Sequence, residues 1–241
     1  MSLSFEVLLA LGVIGFYLYD SAMLLYFNEL VFSRSHGRWS SACPRGNWKI
    51  WGKFPYFPNP LTPNAPLFRV SWHTNDLSQP LDTTEDATRL IEATDLIGYF
   101  VVVLLGEMIV GLPLVIFKLG TGPVFFAAVA SIYITILLML AITYHKRNAL
   151  GLSGRDFMGL AFEAIACPPF SINLVRKITL RHKIKLNPVA FALQNFEQER
   201  FNLLAGAIIA RLDEELELED DGSAQREALI AYRSRLLELA T

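Results

Sequence analysis

Cysteine is scarce, charge is sparse, and basic residues are missing from the start of the chain. Two cysteines, Cys43 and Cys167, cannot build a disulfide framework or a four-ligand zinc site. Charged residues make up 18% of the 241, against about 25% in soluble domains. The net charge of −2 speaks against nucleic-acid binding by bulk charge. No lysine or arginine precedes Arg34, whereas a cleaved signal peptide needs a basic n-region, so an uncleaved anchor is expected. No phosphate-binding glycine loop, metal-ligand spacing or nucleophile motif stands out. The sequence therefore names no catalytic residue, no metal ligand and no cofactor.

Apolar length is present instead. Hydrophobic residues make up 53% of the chain and mean hydropathy is +0.37. Segments 5–27, 96–117 and 124–144 each hold at least 21 residues. At about 1.5 Å per helical residue each crosses a hydrocarbon core of roughly 30 Å. The expected fold is a mainly α membrane protein with three transmembrane helices. Residues 118–123 form a tight hairpin between the last two. Of the 21 basic residues, 7 fall in the 28–95 loop, 13 in the 145–241 tail, and Lys118 alone on the hairpin. The positive-inside rule then puts the N-terminus outside and the C-terminus in the cytoplasm. Four parts follow: an anchor (1–27), a cytoplasmic loop (28–95), a membrane hairpin (96–144) and a cytoplasmic tail (145–241).

The loop holds all four tryptophans, and six of the twelve prolines fall between Pro44 and Pro66. Proline at this density forbids a helix, and short strands are predicted at 29–34, 47–51 and 67–72. Tryptophan beside lysine and arginine suits a membrane interface. Asp82-Thr83-Thr84-Glu85 starts a helix that runs into the second span. In the tail, Ser153 and Asp156 form a capping box, and Cys167-Pro168-Pro169 ends the helix they open. Residues 171–186 alternate apolar and polar, while their basic residues scatter round a helical wheel, so a strand is predicted. Its Arg176, Lys177, Arg181, Lys183 and Lys185 are candidates for anionic phospholipid headgroups. Asn187-Pro188 opens a helix expected to reach residue 218, and Ser223 caps a final one. Loop and tail together should form a small α+β cytoplasmic part.

Asp20 and Glu107 are carboxylates inside predicted spans. An acid at bilayer depth costs about 2.5–3.5 kcal/mol on insertion scales, so it needs a partner. Tyr17, Ser131, Tyr133 and Thr135 are the polar residues within reach. The acids either fasten helices together or hold a proton or cation. With no intramembrane lysine, arginine or histidine to complete a relay, fastening is favoured.

The order of one span, a large cytoplasmic loop, a tight hairpin of two spans and a cytoplasmic tail resembles the bacterial ion-driven motor stators of the ExbB/TolQ type. The resemblance is one of topology and length. The stator loop is helical, whereas this one is rich in Trp and Pro, so no residue role is carried over. The expected function is a non-enzymatic scaffold or accessory subunit of a membrane complex, partnered by another membrane protein or by itself. One alternative is an ion-conducting subunit using Asp20 and Glu107. A further alternative is a lipid-handling enzyme at the membrane surface. Size and layout suggest a bacterial inner membrane.

Overall fold

Glycine and proline set the ends of the longest helices. In the computed structural model, which describes residues 5–35, 37–43, 48–73, 84–182, 187–220 and 222–240, Gly120 ends one helix at φ 69°. That left-handed conformation suits a residue without a side chain. Pro123, two residues past Thr121, opens the next helix, where its missing N–H costs nothing. The architecture is mostly helical with a small sheet part, and it divides into two compact units.

The first unit comprises residues 1–22, 57–66 and 88–182. Its long apolar helix starts as α2 (Thr84–Leu105), widens into a π-helical turn (Gly106–Gly111) and continues as α3 (Leu112–Leu119). In the widened turn the Leu112 N–H bonds to Glu107 O, five residues back. Pro113 accounts for it, because in regular α geometry its ring would press on the carbonyl four residues earlier. The hairpin leads to α4 (Pro123–His145). Among the described residues two helices are thus long and apolar enough to cross a membrane, Ala87–Leu119 and Pro123–His145. In each, only 28% of the most apolar window is buried within the protein, so neither is an ordinary core helix.

The first apolar helix is shorter than its hydropathy suggests. The predicted span 5–27 ends at Ser21, giving α1 (Phe5–Ser21). Its 17 residues reach about 25 Å, short of a core of roughly 30 Å. Residues beyond it are apolar for another reason. Met23–Leu25 is a strand, β1, and Leu25 is fully buried in the second unit. Hydropathy alone does not separate a membrane segment from a protein core.

Three short helices complete this unit. α5 (Gly154–Ala166) starts as predicted: Ser153 Oγ accepts from the Asp156 N–H at 3.1 Å and donates to its carboxylate at 2.5 Å. The Ser153 hydrogen bond, with nearby arginines, holds the Asp156 carboxyl below the usual carboxylate range. Pro168 and Pro169 close α5 and open α6 (Pro168–Ser171). Next comes α7 (Leu174–Arg181), a helix where a strand was predicted. The scatter of basic residues misled, because Arg176 is 2% exposed and a wheel assumes that cations face water. Residues 183–186 lie outside the described residues. The proline-rich segment 57–66 also belongs to this unit rather than to a separate loop domain. It passes close to α2, where a Cβ on Gly98 would come within 3.3 Å of the Asn64 Cβ.

The second unit comprises residues 23–56, 67–87 and 183–241, drawn from both loop and tail. β2 (Glu29–Ser35) lies between β3 (Arg38–Ala42) and β5 (Leu67–Ser71), antiparallel to both, with Phe32 opposite Phe68. β1 pairs with β4 (Phe54–Tyr56). The strand predicted at 47–51 reduces to a single bridge between Ile50 and Lys53. Trp51 and Gly52 between them both take positive φ, which makes a turn. The helix expected over 188–218 is two, α8 (Pro188–Asn195) and α9 (Gln198–Leu216). The break lets Phe196 swing its ring onto Phe32 and Phe191. Asn187 caps α8 as its sequence predicts. α10 (Ala224–Ala240) packs on α9, and its buried Tyr232 stacks on Trp72 at 5.4 Å.

Candidate functional site

Asp20 stands one residue before the end of α1, where the exposed carbonyls of a helix terminus already carry partial negative charge. A carboxylate there needs cationic and N–H partners, and α7 supplies them. Lys177 Nζ lies 2.7 Å from Asp20 Oδ1, and Asn173 Nδ2 donates to Oδ2 at 3.0 Å. Asn173 Nδ2 also donates to Tyr17 O at 3.2 Å, satisfying a terminal carbonyl of α1. Lys177 is shared with Glu163 on α5 at 2.8 Å and lies over the Phe170 ring.

Arg176 extends the same network. Its Nη1 donates to Asn173 Oδ1 at 3.2 Å, and its Nη2 donates to the carbonyls of Asn59 and Thr62 at 2.6 and 2.8 Å. Tyr17 donates from its hydroxyl to Pro60 O at 2.6 Å. Asn173, Arg176 and Lys177 sit at i, i+3 and i+4, which puts them on one side of the helix. One turn thus ties α1, α5 and the 57–66 segment together. Arg176 and Lys177, expected at lipid headgroups, are committed to these interior partners. Arg181 is more open, 3.8 Å from Asp156 and 3.9 Å from Glu163. Lys183 and Lys185 lie outside the described residues.

Glu107 has a different partner. Ser131 on α4 donates to its Oε1 at 2.7 Å, which links the two long helices across the hairpin. Its Oε2 is buried with no hydrogen-bond partner among the described residues. The carboxyl sits on the π-helical turn, a distortion frequent at functional sites. Asp20 and Glu107 therefore occupy two separate bonded settings. Thr135 turns back onto Ser131 O in its own helix, and Tyr133 reaches Ile165 O on α5 at 3.5 Å. Glu163 and Asn173 were not among the residues singled out in the sequence. The i, i+3, i+4 spacing of Asn173 with the two cations was the available signal.

In the second unit Arg211 plays a comparable part. It is 4% exposed, and its Nη1 donates to the carbonyls of Tyr26, Phe27 and Glu29 at 3.3, 3.0 and 2.7 Å. These carbonyls lie in the β1–β2 connection and just inside β2, where Arg211 supplies donors for them. Its guanidinium lies 4.3 Å from the Phe54 ring centroid, and burial lowers its pKa from the ordinary arginine value. Among the described residues no group of three or more His, Cys, Asp or Glu is placed to hold a metal ion. No protein-family model, curated protein or solved structure matches the chain.

Proposed function

We propose that the chain is a multi-pass membrane protein serving as a scaffold or accessory subunit of a membrane complex. Its N-terminus is outside and its tail cytoplasmic, in a bacterial inner membrane, with α1 as a third, shorter spanning element. Support for membrane residence comes from the outward side chains of the long helices. Tyr99, Val110, Leu114 and Phe117 on one, and Phe126, Ile134, Leu137 and Leu138 on the other, are exposed. An apolar surface of this extent marks a lipid or protein contact. Met158, Phe162 and Ile165 of α5 are exposed too, which suits a helix lying in the interface.

The observation that carries the scaffold reading is the bonding of both intramembrane carboxylates within one protomer. Asp20 is held by Lys177 and Asn173, and Glu107 by Ser131. Such acids fasten helices. The unpartnered Oε2 of Glu107 favours a second reading, a proton or cation site.

One purification separates the two. Extraction from native membranes in mild detergent is expected to retain another integral membrane polypeptide, or a second copy, at fixed stoichiometry. Proteoliposomes of the purified chain are expected to pass no more H⁺ or Na⁺ than empty vesicles. Flux that disappears in Glu107→Gln would overturn the scaffold reading in favour of the second.

A further inference from the structure

Three arginines of the second unit form no salt bridge among the described residues. Arg34 on β2, Arg38 on β3 and Arg200 on α9 line one open cleft of about 290 Å³, together with Trp39, Phe196 and Glu197. In the β2–β3 ladder Arg34 stands opposite Trp39 and Arg38 opposite Ser35, so the two leave opposite faces of the ribbon next to its turn, and both border the cleft there. Arg34 lies over the Trp39 ring at 5.6 Å, and Arg200 donates to Trp39 O at 3.5 Å. Among the described residues none of the three has a salt bridge, in contrast to Lys49, which pairs with Glu214 in the same unit. Three like charges around one cleft repel, and Glu197 offsets only one of them.

A second cleft, about 390 Å³, adjoins the first, and Phe196 and Arg200 line both. Its remaining walls are mostly apolar: Ala42, Leu203, Leu204 and Ala207 beside Ser40, Ser41 and Cys43. Leu203 is 53% exposed. Three arginines bordering one end and an aliphatic floor at the other match a molecule with the same two ends. Arginine pairs of this kind take phosphate oxygens two at a time, with a geometry that lysine does not provide.

We propose that the adjoining clefts bind a lipid phosphate. The anionic phosphomonoester sits among Arg34, Arg38 and Arg200, and the start of its acyl chain lies along Phe196, Leu203 and Leu204. This site shares no residue with the fastening network, so it stands or falls separately from the scaffold reading.

The test uses the full chain in phosphatidylcholine nanodiscs, titrated calorimetrically with soluble dihexanoyl phosphatidic acid and with inorganic phosphate. The amphiphile is expected to bind more than tenfold tighter than phosphate. Replacing all three arginines by glutamine should weaken it about a hundredfold, as lost charge-assisted bonds require. Leu203→Ser should weaken the amphiphile and leave phosphate unchanged. The exposed Arg38→Gln single variant, with an unchanged far-ultraviolet dichroism spectrum, guards against misfolding and should lose about tenfold. Full affinity in the arginine variants overturns the proposal. Equal affinity for inorganic phosphate also overturns it, in favour of a free-phosphate site.

Discussion

Lys177→Met is expected to destabilise the first unit by about 2–3 kcal/mol, between the values typical of a fully buried ion pair and of an exposed one. The Asp20 side chain is 11% exposed and stands at the negative end of α1, so it has little access to replacement water. Glu163, the other partner of Lys177, is 42% exposed and rehydrates at small cost. The loss therefore centres on Asp20. Asp20→Asn in the same background should recover most of it, because a neutral amide is far cheaper to bury without a cation. Denaturation in mild detergent, followed by dichroism for the wild type, both single variants and the double variant, gives the coupling directly. A loss under about 1 kcal/mol for Lys177→Met, the size of an exposed pair, would show that the contact is a surface one.

The second large effect is expected at Arg211. Methionine there keeps much of the side-chain bulk and removes every donor. The carbonyls of Tyr26, Phe27 and Glu29 then lose their arginine partner. A cost of about 3–4 kcal/mol follows from unsatisfied buried acceptors. Arg211→Lys should recover only part of it, since the shorter side chain holds its ammonium short of the Nη1 position that serves all three carbonyls and gives up the guanidinium contact with Phe54. Amide hydrogen exchange localises the effect, with faster exchange expected across β1 and β2 and little change in α4. Unchanged exchange in β1 and β2 would mean that these carbonyls do not depend on Arg211.

The parts of the fold legible in sequence are those governed by neighbours along the chain. Gly120 and Pro123 mark the hairpin, and Ser153 and Asn187 cap their helices, because each acts within a few residues. β2 and β5 show in their runs of apolar and β-branched residues. The misreadings share one cause: solvent was inferred from side-chain type. Residues 23–25 extend a hydrophobic run but enter strand pairing, with Leu25 in a protein core. Arg176 carries charge yet lies inside, so a true helix looked like a strand. Phe196 breaks a helix for the sake of ring contacts with Phe32, which is 164 residues earlier.

The candidate site was legible by half. Asp20 and Glu107 stand out because an acid in an apolar run is conspicuous. Their partners do not: Asn173 is 153 residues from Asp20, and no local pattern links them. The expected likeness to motor stators gains nothing from the loop, which is helical there and supplies strands here.

Sidedness of the apolar hairpin tests the account most directly. In a Cys43→Ser/Cys167→Ser background, Thr121→Cys places a thiol on the exposed hairpin, and Glu217→Cys places one at the exposed end of α9. In intact cells a membrane-impermeant maleimide should label Thr121→Cys at once and Glu217→Cys only after permeabilisation. Labelling of both from one side of the membrane would contradict a bilayer-spanning hairpin and remove the basis of the account.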